Sequence, residues 1–448
     1  MNIPLNIPAK PIEICQQLRG SGYEAWLVGG AIRDSLMGRD PHDWDVATNA
    51  RPEQVSALFE RVIDTGLQHG TVTVVLGDER FEVTTYRADR AYSDGRHPDD
   101  IRFVNTIDED LARRDFTMNA IAYDPISGET RDPFFGQADI ERRVIRAVGD
   151  AEARFREDGL RMLRAARFVS TLGFNLSSYT EISINDQVPL NVAPERIHDE
   201  ICKALVGEFP DRFLQVLANT GLLNRILPEM VPMIACLQNS YHEFDVWEHI
   251  LCVVAATPPD LHLRLAAMFH DVAKPQTKGV HPKTGEATFY EHEEVGAVVA
   301  DSIMDRLRFS NDDRQAVTHL IRHHLIQYTP HWINSTIRRW VRNVGAENVG
   351  SLLALGRADI AGKGNARREL NPSTLDELER RIDELSIEAP IVTNATQLAI
   401  TGQDVMRELE ISPGPAVGAK LRELLELVTD DPDLNTRERL LELLSSES

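Results

Sequence analysis

The chain has 448 residues and a formal net charge of −22, with 42% hydrophobic and 26% charged residues. This length exceeds what one hydrophobic core usually organises, so we expect roughly two to four domains in an ordinary globular protein. The acidic balance argues against non-specific coating of nucleic acid, which depends on Lys and Arg meeting phosphates. The sequence shows no apolar run of membrane-spanning length, and MNIPLNIPAK lacks a signal pattern, which predicts a cytoplasmic protein without membrane contact.

The first third of the chain has the pattern of a small mixed α/β domain. Residues 23–30 predict a buried strand that ends in two glycines, and residues 31–38 predict a short helix. Residues 44–48, 71–76 and 80–87 predict further strands, because β-branched and aromatic residues lie there between Gly, Asp and Pro.

From about residue 150 the periodicity becomes helical. Leu160, Leu163 and Ala166 recur at helical spacing, and so do Leu263 and Ala266. Proline-containing breaks mark joints, and residues 358–373 have the composition of a linker or exposed turn. The predicted class is α+β, with a mixed α/β head followed by a long helical body.

The glycine turn at the end of the first strand indicates a phosphate site. Gly29 and Gly30 let backbone N–H groups approach an anion closely at the start of a helix, whose dipole also favours negative charge. Arg33, one turn into that helix, can add a charge-assisted contact to phosphate oxygens.

Two carboxylates follow the glycine turn. Asp43 and Asp45 form a D-x-D in the predicted strand, so both side chains should project from one face. Oxygen ligands at such a site select Mg²⁺ or Mn²⁺. Two Mg²⁺ ions held there would activate a 3′-hydroxyl and stabilise the departing pyrophosphate in an in-line displacement.

These residues carry a family resemblance. Residues 27–48 (LVGGAIRDSLMGRDPHDWDVAT), 110–124 (DLARRDFTMNAIAYD) and 154–168 (RFREDGLRMLRAARF) resemble, in order, motifs of the class II tRNA nucleotidyltransferase and poly(A) polymerase family. The resemblance implies a head with the DNA polymerase β type of nucleotidyltransferase fold. It also implies contacts to the ribose of a bound nucleotide from Arg114, Asp115 and Asn119.

The third motif contains a pair that can read a base. Asp158 and Arg161 are three residues apart, so on a helix they would share one face. Asp only accepts and Arg only donates, a polarity that matches cytosine and adenine but opposes uracil and guanine. The alternative is a plain salt bridge within a helix. By resemblance, Arg164 and Arg167 would brace this helix or the triphosphate.

A polar, turn-rich stretch lies between the head motifs at residues 91–100 (AYSDGRHPDD). In the resembled family, a flexible loop at this place helps the switch from C to A addition. Its presence therefore favours full CCA or A addition over CC-only addition.

Ordered histidines and aspartates in the second half resemble the ligands of the HD phosphohydrolase family, with Lys274 nearby. The predicted ligands of this HD-type site for a divalent metal are His249, His270, Asp271, His292, His323 and Asp359. Nitrogen and carboxylate ligands suit a transition metal or Mg²⁺, which would activate water against a phosphoester. Ligation by both His323 and the adjacent His324 is left open.

The predicted regions are a nucleotidyltransferase head at 1–145, a helical neck at 146–240, an HD-type metal domain at 241–365 and an RNA-contacting helical tail at 366–448. The predicted activity adds C and/or A from CTP and ATP to the 3′ end of tRNA and releases pyrophosphate. Two alternatives remain: a poly(A) polymerase on the same fold, and an HD phosphohydrolase or RNA-binding scaffold with an inactive head. The sequence indicates no protein partner.

Overall fold

The computed structural model describes residues 6–41, 43–66, 70–90, 100–185, 187–364 and 372–446. The chain divides into two compact units, Met1–Val231 and Pro232–Ser448. The finer division into four regions stays a prediction. The described part of the chain contains no helix that is long and apolar enough to cross a membrane.

The first unit holds nearly all of the strands. They are β1 (Ala25–Val28), β2 (Asp45–Thr48), β3 (Val62–Gly66), β4 (Thr71–Leu76), β5 (Glu79–Thr85), β6 (Arg87–Arg90), β7 (Asp100–Phe103), β8 (Ala122–Tyr123), β9 (Thr130–Arg131), β10 (Val144–Ile145) and β11 (Asn175–Leu176). The helices are α1 (Ala9–Gly20), α2 (Gly30–Leu36), α3 (Pro52–Leu58), α4 (Ile107–Ala112), α5 (Gly136–Glu141), α6 (Ala151–Glu157), α7 (Leu160–Leu172), α8 (Ser178–Ile182), α9 (Pro194–Leu205), α10 (Pro210–Asn219) and α11 (Leu222–Ile226).

Seven of the described strands form one mixed sheet in the order β3-β4-β5-β2-β1-β8-β9. β2 and β5 pair in parallel, while β1 pairs with β2 and with β8 in antiparallel fashion. Val28 lies opposite Asp45, so the glycine turn after β1 is beside the start of β2. Trp26, Tyr86 and Leu111 belong to the buried core on this sheet. The predicted strand at 71–76 and the mixed α/β head are confirmed.

The second unit is almost entirely helical in its described residues. Its elements are α12 (Val246–Ala256), α13 (Leu261–Phe269), α14 (Lys274–Thr277), β12 (Gly279–Val280), β13 (Ala287–Thr288), α15 (His292–Arg306), α16 (Asn311–His323), α17 (Asn334–Val344), α18 (Val349–Gly362), α19 (Pro372–Glu388), α20 (Gly402–Glu408), α21 (Pro415–Asp430) and α22 (Arg437–Ser445). Asp245 and Asp260 cap α12 and α13 by accepting from backbone N–H groups of the first turns. A separate apolar cluster, which includes Leu424 and Leu440, joins the last three helices.

Two sequence predictions need correction at this level. The proposed linker at 358–373 begins inside α18, which continues to Gly362, so Asp359 lies on a helix. The predicted strand at 44–48 begins at Asp45, so Asp43 precedes the strand and strand geometry does not fix its direction. Residues 91–99 of the predicted loop lie outside the described residues.

Candidate functional site

The glycine turn between β1 and α2 is a point of close approach. Gly29 has a φ of +79°, and a Cβ there would lie 3.1 Å from Nη1 of Arg114 and 3.5 Å from Oδ2 of Asp45. Glycine therefore supplies both the left-handed backbone and the space for these two side chains.

A cavity of about 390 Å³ opens beside this turn. It collects residues from all three motifs of the first unit, which supports their prediction as one site. The predicted residues that line it are Gly29, Gly30, Arg33, Asp45, Arg114, Asp115, Asn119, Asp158, Arg161 and Arg164. Two predicted residues, Asp43 and Arg167, are not among the described residues that line this cavity.

Asp45 is the carboxylate that the sheet directs into the cavity. Burial raises its pKa to about 6, the neighbouring Glu82 and Asp43 add to the rise, and Arg114 opposes it. Asp43 is exposed and lies two residues before Asp45. A bound divalent cation would offset the cost of charging Asp45 beside other carboxylates. The carboxylate oxygens of Asp43 and Asp45 are of the kind that Mg²⁺ prefers.

Arg33 is already held on the cavity wall. Its Nη1 donates to Oδ1 of Asn119 at 2.8 Å, and its Nε donates to the carboxylate of Asp34 at 2.8 Å. Asn119 in turn donates from Nδ2 to Oδ1 of Asp115 at 3.0 Å. The predicted phosphate and ribose contacts therefore belong to one hydrogen-bonded network.

Asp115 is the centre of that network. Burial alone would raise the pKa of its carboxyl, but Arg164 and Asn119 hold the pKa well below the usual range. Nε of Arg164 donates to Oδ2 of Asp115 at 2.8 Å. Asp115 is therefore a fixed anion that orients Asn119 and Arg164.

The base-reading pair is not on one helix, contrary to the prediction. Asp158 lies in the break between α6 and α7 with extended backbone (φ −146°, ψ 105°), and its Oδ1 accepts from the backbone N–H of Leu160 at 3.0 Å. This local contact lies where α6 ends and α7 begins. Nη2 of Arg196, on α9, lies 2.8 Å from Oδ2 of Asp158. The pair still lines the same cavity.

The carboxylate that holds Arg161 is that of Glu157 rather than that of Asp158. Nη1 of Arg161 donates to Oε2 of Glu157 at 2.7 Å, and its Nη2 donates to the carbonyl of Arg113 at 3.1 Å. The guanidinium is thus oriented before any base arrives.

The sequence did not indicate four residues that contact the predicted site residues: Glu157, Phe168, Arg196 and Glu200. Glu157 could have been found, because it is four residues before Arg161 on a helical pattern. Arg196 and Glu200 lie on α9, and their partners Asp158 and Arg167 are more than 30 residues away in sequence. No local signal links such distant positions.

The second unit contains a buried cluster built around Asp271. Its Oδ2 is 3.5 Å from Nε2 of His249 and 3.3 Å from Nε2 of His270. Its Oδ1 is 3.3 Å from Nε2 of His292 and 4.0 Å from Nε2 of His324. One carboxylate therefore faces four imidazoles contributed by α12, the end of α13, and the ends of α15 and α16. We call these five residues, with Asp359, the histidine–aspartate cluster.

The four histidines of this cluster present the same ring nitrogen to its centre. In each, Nδ1 lies 2.6–3.0 Å from a backbone carbonyl, which can only accept, so Nδ1 carries the hydrogen. Nε2 of His249, His270 and His292 has no hydrogen-bond partner among the described residues. Buried ring nitrogens that point to one centre in this way are suited to a divalent metal.

Asp359 completes the cluster from α18. Its Oδ1 lies 3.0 Å from Nε2 of His249. Nδ1 of His249 bonds the Gly362 carbonyl, and a Cβ at Gly362 would lie 3.2 Å from that nitrogen, so glycine allows this approach. The helix that carries Asp359 thus also fixes the tautomer of His249.

Cationic groups of the protein neutralise the cluster. Lys274 Nζ lies 2.6 Å from Oδ2 of Asp271, and Lys363 Nζ lies 2.7 Å from Oδ2 of Asp359. Burial opposes the charge of His270, but Asp271 and Asp359 raise its pKa to about 9. The carboxylates attract positive charge strongly, which fits a metal that would displace the His270 proton.

The structure does not bring the predicted ligand His323 into the cluster, where His324 lies instead. The His323 ring lies 4.6 Å from the His319 ring on α16, whereas His324 packs 5.0 Å from His270 and 5.2 Å from His292. Adjacent residues on a helix point about 100° apart, so only one of the two can reach the cluster.

Comparisons with known proteins define the class first. Residues 25–146 match the family model of the poly A polymerase head domain. Residues 173–234 match a probable RNA and SrmB-binding site of polymerase A, and residues 292–444 match a putative tRNA nucleotidyltransferase domain 2. These matches place the mixed head in the class of poly A polymerase head domains.

Individual relatives are more specific. The chain is 32% identical to the solved Bacillus stearothermophilus CCA-adding enzyme in complex with CTP, over 97% of this chain and 96% of that one, with a TM-score of 0.71. The curated CCA-adding enzyme of Geobacillus stearothermophilus is 52% identical over 48% of this chain. That of Geobacillus kaustophilus is 50% identical over 51% of this chain. The matches span about half the length of these curated relatives, at 53% and 56%. The chain belongs to the family of tRNA nucleotidyltransferases and poly(A) polymerases that includes the CCA-adding enzymes.

Proposed function

We propose that the protein adds C and A residues from CTP and ATP to the 3′ end of tRNA without a nucleic-acid template, and releases pyrophosphate. The observation that carries the proposal is the cavity that unites Asp45, the glycine turn and the Asp158–Arg161 pair. The CCA-adding relatives support tRNA as the acceptor. The proposal includes the cytoplasmic location predicted from the sequence.

In this proposal, Asp43 and Asp45 would hold two Mg²⁺ ions, which supply activation of the 3′-hydroxyl and stabilisation of the pyrophosphate leaving group. The protein's own groups orient the nucleotide. Arg33 and Arg164 line the cavity where the triphosphate would lie, and the network through Asn119 and Asp115 holds both guanidiniums. Nucleotide binding would then require little rearrangement of charged groups.

Base choice would depend on Asp158 and Arg161. Asp158 accepts from the exocyclic amino group of C or A, and Arg161 donates to the adjacent ring acceptor. U and G present the opposite polarity and would leave desolvated polar groups unpaired. Arg196 and Glu157 keep the two side chains oriented for this reading.

A direct test uses a tRNA transcript that ends before CCA, incubated with Mg²⁺ and each NTP alone or with CTP and ATP together. We expect CTP alone to extend the transcript by C only, CTP with ATP to complete CCA, and UTP and GTP to give no product. A long A tract from ATP alone would identify a poly(A) polymerase instead. Absence of incorporation under all conditions would refute the proposed transfer.

We also propose a divalent-metal site at the histidine–aspartate cluster, with phosphoester hydrolysis as its activity. The unpartnered Nε2 atoms and the fixed tautomers favour this function. A metal bound there would supply an activated water. The test is metal analysis of purified protein together with hydrolysis of bis-p-nitrophenyl phosphate and p-nitrophenyl phosphate. Bound metal without hydrolysis would leave the site as a structural one.

A further inference from the structure

One aromatic ring in the nucleotide cavity is surrounded by guanidinium groups. Phe168, on α7, is 4% exposed and lines the cavity. The Cζ atoms of Arg167, Arg33 and Arg164 lie 4.0, 5.2 and 5.6 Å from the centre of its ring. Phe116 packs against the same ring edge-on, at 5.7 Å between centroids. The position of Phe168 is therefore determined from several sides.

Each of these arginines is also held by a polar partner. The pairs are Arg33 with Asp34 and Asn119, Arg164 with Asp115, and Arg167 with Glu200. Every guanidinium thus has one contact to a carboxylate or amide and a second contact to the Phe168 ring. The ring uses no N–H donor, so Arg33 and Arg164, which line the cavity, keep their remaining N–H groups for an anion, while Arg167 supports the ring from outside the cavity lining.

Three guanidiniums so close together repel one another. The negative face of an aromatic ring attracts cations within about 6 Å, and planar guanidinium groups pack well against it. An aliphatic side chain of similar volume would fill the same space without this attraction. Phe168 therefore contributes electrostatics as well as packing.

We propose that Phe168 is a positioning residue for the triphosphate of the incoming nucleotide: its ring holds Arg33, Arg164 and Arg167 in a fixed cationic arrangement. This inference rests on the proposed nucleotidyl transfer and adds a determinant to it. Phe168 acts through the arginines and takes no part in base choice, which is assigned to Asp158 and Arg161.

The test compares Phe168→Leu with pentafluorophenylalanine incorporated at position 168, which keeps the ring shape but removes its negative face. Both changes should raise KM for CTP and for ATP by about 10-fold, while kcat and the preference for C and A stay near wild type. Phe168→Tyr retains the ring face and should restore KM. Phe213→Leu, at a fully buried phenylalanine of α10, controls for lost packing.

Equilibrium binding of CTP to wild-type protein without tRNA separates this inference from the proposed function. If the wild type neither binds CTP nor extends tRNA, nucleotidyl transfer is wrong. If the wild type does both and the pentafluorophenylalanine variant keeps wild-type KM, the role of Phe168 is wrong. An equal rise in KM for Phe168→Leu and Phe213→Leu would also contradict it. Should Phe168→Leu fail to fold, the pentafluorophenylalanine and tyrosine variants decide the outcome.

Discussion

The cavity of the first unit is lined largely by arginines, whereas the cluster of the second unit is lined by imidazoles and carboxylates. In the cavity, Arg33, Arg161 and Arg164 each contact a carboxylate that orients them. In the cluster, the histidine Nε2 atoms of His249 and His270 have no hydrogen-bond partner among the described residues. These surroundings favour an anion in the cavity and a cation in the cluster.

The largest effect should come from the two carboxylates that we propose as metal ligands, Asp45 in the cavity and Asp43 just before it in the chain. Asp45→Ala and Asp43→Ala should each lower NTP incorporation by about 1,000-fold or more, because metal stabilisation of the transition state is worth several kcal/mol. Single-turnover extension of tRNA measures this loss. Asp40→Ala, at an exposed carboxylate nearby, is the control and should leave incorporation unchanged. If both Asp45→Ala and Asp43→Ala retain NTP incorporation, the proposal that these carboxylates hold Mg²⁺ is wrong.

The next largest effect should be on metal binding by the histidine–aspartate cluster. Asp271→Ala should lower the affinity for a divalent metal by at least roughly 100-fold, since this carboxylate faces all four imidazoles. Isothermal titration with Mn²⁺ or Ni²⁺ measures the change, and His323→Ala is the matched control outside the cluster. tRNA extension by both variants should stay near wild type. Equal metal binding by Asp271→Ala and wild type would show that the cluster is not a metal site.

A moderate effect should separate base reading from phosphate binding within the cavity. Arg161→Ala should weaken discrimination against UTP and GTP by about 10-fold for each 1.4 kcal/mol of lost pairing, while extension continues at a lower rate. This discrimination is measured by single-turnover incorporation of each of the four NTPs onto tRNA that ends before CCA. A variant that is slower with every NTP and keeps its preference would assign Arg161 a purely structural role.

The smallest effect is on stability and its pH dependence. Because Arg164 and Asn119 depress the pKa of Asp115, the ionised carboxylate stabilises the fold above its unfolded pKa of about 4. That stabilisation is lost as the pH falls below about 4 toward the folded pKa. Asp115→Asn should therefore have a lower Tm than wild type at pH 7, and the difference should narrow at acidic pH. Thermal unfolding from pH 7 downward measures this.

The control for this last prediction is Asp199→Asn, at an exposed carboxylate on α9. Its Tm should follow that of wild type across the same pH range. If the difference in Tm between Asp115→Asn and wild type is the same at every pH, the depressed pKa of Asp115 does not contribute to the stability of the fold.

The sequence by itself determined the features that depend on neighbours in the chain. Two glycines after an apolar strand predicted the turn at Gly29, and β-branched residues between turn-forming residues predicted β4 at its observed bounds. The order of motifs predicted the family and the mixed head. These predictions succeeded because turn geometry and the strand preference of β-branched residues are local properties.

Only the tertiary structure decided the partners of charged residues and the identity of one cluster residue. Spacing suggested that Asp158 and Arg161 share a helix, but α6 ends at Glu157 and α7 begins at Leu160, and Arg196 from α9 holds Asp158. Spacing also could not choose between His323 and His324. These outcomes depend on how separate helices pack, because Arg196 reaches Asp158 from α9 and the cluster residues lie on, or at the ends of, separate helices.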